Sequence, residues 1–453
     1  MRVLWQAYYS SYCLGLCEAV PVHTVLAADE GLDTDEISRR EGIEFLTCQR
    51  AKKIRARFAD RALEDLAAHY ESELVERLAD DSGAGWMAWS PGPAEALAHL
   101  CARSGAACHV VPWSRYTWFG SKANLREALA RLGLPRLTGR WVEPESARYT
   151  ELAREFGACF VMQMEHGADG SGTAIVENAG QFAEAARRFF GASVWVGPYA
   201  GPLSLNVNAV ATSAGVAVSY PSVQLVGHPE LRGSRAGHCG NDFTATADLP
   251  RSIPESIRRQ TGAIGEWMAG LGYRGLFGLD YVVDERTAEA MIVDLNPRIQ
   301  GSTSLEAQAS QRAGRIPLIA VEAARQARIP DEAEIWRMAD DFFEPLEGAQ
   351  CFLKAPPQGN WLVARDLPPG VYGEDLAFKR PALRLADLRA LEEVLLNGHN
   401  PRQGEVLEGS ARLLRVCSLR RMLNSSNGGL EDWVLRVAAR ADEAVGLTPI
   451  ISA

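Results

Sequence analysis

The chain has 453 residues, 47% of them hydrophobic, and a formal net charge of −10. That length accommodates about two to four domains with sizeable cores. The acidic balance argues against nucleic acid as a principal partner, since phosphate backbones call for a basic surface, and no apolar run approaches the roughly 20 residues of a membrane span.

The opening MRVLWQAYYSSYC lacks a sustained apolar stretch or a small-residue cleavage site, so a cytoplasmic protein is expected. Nine scattered cysteines do not suit a disulfide framework. Cys13 and Cys17 have metal-like spacing but no second pair, and all nine are expected to be reduced. Strand-like runs at 2–6, 20–26, 86–89 and 109–113 alternate with helical sequence at 49–78 and in SPGPAEALAHLCARSG. This alternation predicts a small α/β domain with a parallel sheet over residues 1–115.

Ser121 is placed to cap a helix through KANLREALARL, with Gly133 as its stop. Strands at 158–164 and 174–176 flank HGADGSGT, and Asn178 caps the following helix. Runs 194–196, 205–211 and 216–219 read as successive strands. The polar, Gly-rich stretch 227–245 suits a long loop over a site. A helix at 255–271 precedes a hairpin, and another at 305–326 follows it, with Gly314 and Pro317 as breaks. From about Pro330, Pro and Gly pairs indicate strands and turns, and 429–445 is helical.

The hairpin, within GYRGLFGLDYVVDERTAEAMIVDLNPRIQGSTS, carries the most information. Strands at 276–283 and 291–295 joined by a turn centred near Thr287 set Asp280 opposite Asp294, since both are equidistant from 287. Asn296, two residues on, shares that face. Two carboxylates inside apolar runs, with an amide beside them, suit a hard cation such as Mg²⁺ (or Mn²⁺) that shares its shell with phosphate oxygens. In HGADGSGT, Gly167, Gly170 and Gly172 let backbone N–H groups face an anion, and Ser171 and Thr173 add hydroxyls; a plain hairpin turn is the other reading. Lys122, in the first turn of its helix, opposes the helix dipole. It serves either an anion or the solvated surface.

A lysine before an early helix, a Gly-rich strand–loop–strand and a late acidic hairpin ending in NPR together resemble the ATP-grasp superfamily over residues 1–325. The likeness is to carboxylate–amine ligases, including peptide ligases of natural-product pathways. It implies an α/β and α+β ATP-grasp fold, with an N-terminal α/β domain (1–115), lobe A (116–195) and lobe B with the metal site (196–330); an appended C-terminal α+β region (331–453) lies beyond the resemblance and is expected to serve substrate binding or a homodimer. It further implies ATP and Mg²⁺ as cofactors and carboxylate and amine substrates, small molecules or peptides, joined through an acyl phosphate with release of ADP and phosphate. Related alternatives are a phosphotransferase, a non-catalytic nucleotide-binding module and biotin-dependent carboxylation, against which stands the lack of a carrier-domain lysine motif in the chain.

By the same resemblance, Lys122, Gln163, Gly170, Ser171, Gly172 and Thr173 bind the phosphates. Val196 and Tyr199 lie in the adenine linker, and Asn206 and Asn208 near ribose or metal. Asp280, Asp294 and Asn296 hold the metal, Arg298 is catalytic, and Ser302 and Arg274 contact substrate. The chain departs from the pattern at Gln163, where a lysine is usual, at Asp294, where a glutamate is usual, and at Gly197, where an acid is common. At Gly278 some ligases carry an arginine, which leaves that role to Arg298 or Arg274.

Overall fold

The structure, a computed structural model, describes residues 2–7, 9–16, 20, 22–57, 66–79, 85–90, 92–167, 170–326, 341–424 and 428–450. Cys17, Ala168 and Asp169, part of the expected helix 49–78 and the change of character near 330 lie outside the described residues.

The first strands are β1 (Arg2–Ala7), β2 (Val22–Ala27), β3 (Glu44–Thr47), β4 (Ala56–Arg57), β5 (Trp86–Trp89) and β6 (Ala107–His109). Between them lie α1 (Leu32–Glu41), α2 (Cys48–Lys52), α3 (Glu71–Ala79) and α4 (Glu95–Ser104). Strands β3-β2-β1-β5-β6 form the expected parallel sheet. Both of its faces are buried, Val3, Trp5 and Met87 on one and Leu4, Leu26 and Ala88 on the other, as a parallel sheet requires. The strand expected at 109–113 ends at His109, because Pro112 precedes a helix, α5 (Trp113–Phe119), and has no N–H for a ladder. The helix expected at 49–78 is broken: Lys53 turns left-handed (φ 53°) after α2, and β4 follows.

Helix α6 (Lys122–Leu132) starts and stops as expected: Ser121 Oγ accepts the Asn124 N–H at 3.2 Å, and Gly133 ends it at φ 64°. There follow β7 (Arg140–Val142), α7 (Tyr149–Phe156), β8 (Phe160–Met164), β9 (Thr173–Val176), α8 (Ala179–Arg188) and β10 (Val194–Pro198). The strands form an antiparallel sheet, β7-β10-β8-β9. Phe160, Met162, Val176, Val194 and Val196 pack with Leu152 of α7 and Ala185 of α8, so alternate residues on the opposite face are left for a ligand.

The next elements are β11 (Ser204–Ala211), β12 (Val216–Val218), β13 (Ser222–Val226), β14 (His238–Asp242), α9 (Ser252–Gly270), β15 (Gly275–Asp284), β16 (Glu289–Asn296), α10 (Thr303–Arg312) and α11 (Leu318–Gln326). The stretch 227–245 is only in part a loop: its second half is β14, paired with β13. Ile257, Ile264 and Met268 of α9 pack with Leu205, Phe277 and Tyr281, covering one face of the sheet and leaving the other for polar groups.

The last elements are β17 (Ala349–Lys354), β18 (Asn360–Leu362), β19 (Gly370–Tyr372), β20 (Phe378–Arg380), β21 (Val394–Leu396), β22 (Val406–Glu408), β23 (Arg412–Ser418), α12 (Asp432–Val445) and β24 (Thr448–Ile450). These strands are not merely appended. β17 pairs with β14, so the acidic hairpin and the C-terminal strands share one sheet, ordered β16-β15-β11-β13-β14-β17-β23-β21-β19-β20. β22 also pairs with β4, where buried Arg57 and Glu405 meet at 2.9 Å and tie the two ends of the chain together.

Candidate active site

Near its turn the β15–β16 hairpin pairs Asp284 with Glu289, Val282 with Met291 and Tyr281 with Ile292. Continued unbroken, that register would set Asp280 against Val293. A bulge passes over Val293 and restores Asp280 opposite Asp294. The facing carboxylates are therefore as expected, but the symmetry about Thr287 is not their cause. Asn296 lies opposite Gly278, and Asn206 of β11 lies opposite Asp280 on its other side.

Asp280 Oδ1 accepts from Asn206 Nδ2 at 2.6 Å and from Gln224 Nε2 at 3.0 Å, and its Oδ2 accepts from Asn296 Nδ2 at 3.2 Å. Desolvation in the cleft, and then the charge of Asp294, push the Asp280 carboxyl up to about 6. Asp294 Oδ1 lies 3.0 Å from Lys122 Nζ, and Lys122 is buried rather than a solvated surface lysine. The acid pair is thus met by three amides and an ammonium, so facing carboxylates here do not by themselves demand a metal. An all-oxygen set of two carboxylates and one amide still fits Mg²⁺, which completes its shell with phosphate oxygens and water. Among the described residues no cluster of three or more His, Cys, Asp or Glu offers a rival metal site.

A cavity of about 710 Å³ separates this face from the β7-β10-β8-β9 sheet. Lys122, Gln163, Asn206, Asp280, Asp294 and Asn296 line it. So do Gly170, Gly172, Thr173, Tyr199, Arg298 and Ser302. Gly170 (φ 75°) packs so closely on the Ala236 carbonyl that any side chain there would overlap it. The turn after β8 and the turn after β13 therefore meet at the cavity, and Arg235, Ala236 and His238 of the 227–245 stretch line it.

Four expected residues are placed elsewhere. Asn208 is buried, donating to Ser302 Oγ at 3.0 Å and accepting from Thr303 Oγ1 at 2.7 Å, so it braces the loop after Arg298. The Val196 side chain belongs to the core behind the sheet, so only its backbone is available for the linker role expected of it. Ser171 is not on the wall, and its carbonyl accepts from Arg188. Arg274 donates to the Ala269 and Tyr273 carbonyls at 2.7 and 2.6 Å and lines a separate cavity of about 180 Å³. Arg274 therefore does not line the cavity that holds the acids, whereas Arg298 does.

Gln300 was not legible beforehand. Its Nε2 donates to the Val207 carbonyl at 3.0 Å and to Asn208 Oδ1 at 3.3 Å. Its Oε1 accepts from Asn206 at 2.7 Å and from Asn296 at 3.3 Å. The amide lies over Gly278, where a side chain would overlap it, and this accounts for the glycine. Arg126 is a second such residue, donating to Gln163 Oε1 at 2.8 Å. Tyr12, His238 and Arg412 also line the cavity, Tyr12 and His238 beside Gly301 and Arg412 stacked between Tyr9 (4.4 Å) and Phe352 (4.0 Å).

No family model and no curated protein matches the sequence. Solved structures do match in shape. The biotin carboxylase domain of 2-oxoglutarate carboxylase from Hydrogenobacter thermophilus, solved with MgADP, ADP and bicarbonate, aligns over 93% of this chain and 86% of its own, with a TM-score of 0.59 and 14% identity. N5-carboxyaminoimidazole ribonucleotide synthetase from Thermotoga maritima aligns over 99% of both chains, with a TM-score of 0.54 and 14% identity. The biotin carboxylase domain of a single-chain bacterial carboxylase covers 93% of this chain and 85% of its own, with a TM-score of 0.55 and 18% identity. The facing acids, the glycine turn and the paired sheets around one cavity, together with these likenesses, show that the chain has the ATP-grasp fold, with a small α/β domain before it and an α+β region after it.

Proposed function

We propose that this protein is an ADP-forming ligase that uses ATP and Mg²⁺ to join a carboxylate to an amine through an acyl phosphate. The observation that carries this reading is the pair Asp280–Asp294, facing each other in a cavity that also holds Lys122, Arg298 and a glycine turn. Solved structures of the same shape hold ATP or MgADP, which supports a nucleotide in this cleft.

Bound Mg²⁺ would be held by Asp280, Asp294 and Asn296 and would offset charge on the phosphates. Lys122, now on Asp294, is within reach of the same phosphates, and the 170–173 turn closes over them. A carboxylate oxygen of the acid attacks the γ-phosphorus, the bond to the ADP oxygen breaks, and an acyl phosphate forms. The amine then attacks the acyl carbon, phosphate leaves with the C–O electrons, and the amine loses a proton. Arg298 stabilises charge on the transferring phosphoryl group or the tetrahedral oxygen. The contact between Gly170 and Ala236 keeps water from the acyl phosphate. The acid occupies the end near Ser302, with Tyr12, His238 and Arg412 around it.

A second reading takes bicarbonate as the acid and a carbamate-like product. It is favoured by the bicarbonate in one related structure and by the carboxylating enzymes among the others. A matrix of acids, bicarbonate included, against amines tests both readings. ADP release with a product mass of acid plus amine minus water supports the first; ADP release dependent on bicarbonate alone supports the second. ATP binding without turnover for any pair leaves the non-catalytic module.

A further inference from the structure

Arg126 lies one helical turn beyond Lys122 on α6, so two cations stand at i and i+4, an arrangement that destabilises a helix unless an anion lies between them. One acid, Asp294, touches Lys122, and among the described residues none pairs with Arg126. Burial pulls the Arg126 guanidinium down to about 10, partly offset by Asp294.

The surroundings of Arg126 are built rather than incidental. Cross-strand partners Trp141, Trp195, Gln163 and Thr173 form one row across β7, β10, β8 and β9, on the face turned from the apolar core. The guanidinium stacks on Trp195 at 3.9 Å. It donates to Gln163 Oε1 at 2.8 Å and to the Lys122 carbonyl at 3.2 Å. Those contacts use two N–H groups of the five a guanidinium carries, and the residue lines the cavity. The row under it ends at Thr173, where the glycine turn rejoins the sheet.

We propose that Arg126 binds the diphosphate portion of the nucleotide, with Gln163 and Trp195 holding its guanidinium flat against the sheet. The strand residue at 163 thus carries no charge because the cation reaches it from the helix. This inference rests on the nucleotide reading above and adds a residue to it.

The test is calorimetric binding of ATP, ADP and adenosine to the full chain with Mg²⁺ present. Arg126→Ala is expected to weaken ATP and ADP by about tenfold or more, the effect of losing charge-assisted hydrogen bonds, with adenosine affinity unchanged. Arg126→Lys should fall between, since it keeps the charge and loses the planar fork. Adding Gln163→Lys to Arg126→Ala should recover most of the ATP affinity, because it returns a cation to the same spot. The inference is overturned if Arg126→Ala binds ATP like the wild type, if it loses adenosine as strongly as ATP, or if Gln163→Lys restores nothing. A wild-type protein that binds no ATP overturns the nucleotide reading and this inference with it.

Discussion

Replacing Gly278 with alanine should disable the site without touching any group that contacts substrate. Gly278 lies inside the sheet, in register with Asn208 of β11 on one side and Asn296 of β16 on the other, so its backbone has no room to move away. A β-carbon there overlaps the Gln300 amide, which must leave. Gln300 then forfeits four hydrogen bonds in a buried setting. At about 1 kcal/mol each the loss is about 4 kcal/mol, a large share of a domain's net stability. Asn206 and Asn296 also lose the acceptor that orients them towards Asp280, so ADP release should fall at least as far as the melting transition does. The decisive comparison is a double-mutant cycle with Gln300→Ala, followed by thermal unfolding and by ADP release. Because both changes remove the same amide contacts, Gly278→Ala should add little on a Gln300→Ala background. Full additivity, or a Gly278→Ala protein within about 1 kcal/mol of the wild type, would refute the hub role of Gln300.

Three further outcomes are expected. Asp280→Asn and Asp294→Asn should each abolish ADP release while the protein stays folded by circular dichroism; turnover retained in either argues against the metal assignment. Gly170→Ala should raise the KM for ATP by roughly tenfold, because φ 75° is strained for alanine and the side chain meets the Ala236 carbonyl; an unchanged KM would show that the two turns do not form a cover. Glu306 is buried with Oε2 unpartnered, and burial raises its carboxyl from 4.5 to about 7. A raised folded pKa contributes stability below about 4.5 that is lost as pH rises through 7, so Glu306→Gln should gain about 3 kcal/mol on the wild type at pH 8 and nothing at pH 4. Urea midpoints that differ equally at both pH values would contradict this.

The local elements and the acidic pair were legible in the residues themselves. The cap at Ser121, the stop at Gly133, the breaks at Gly314 and the alternation of β1 to β6 follow from backbone hydrogen bonding and side-chain periodicity within a few residues. The hairpin followed from its apolar runs, although the facing acids rest on a bulge at Val293 that nothing in the spacing reveals. The strand expected at 109–113 overran because a Val-rich run outweighed the proline that ends it. What tertiary structure alone decided are contacts between distant segments: Lys122 on Asp294, Gln300 over Gly278, Arg126 on Gln163, and β17 beside β14. Local sequence encodes which dihedral angles and which face a residue prefers. Which side chain from a distant segment fills the space above that face depends on how whole sheets pack, and there the chain's pattern is silent.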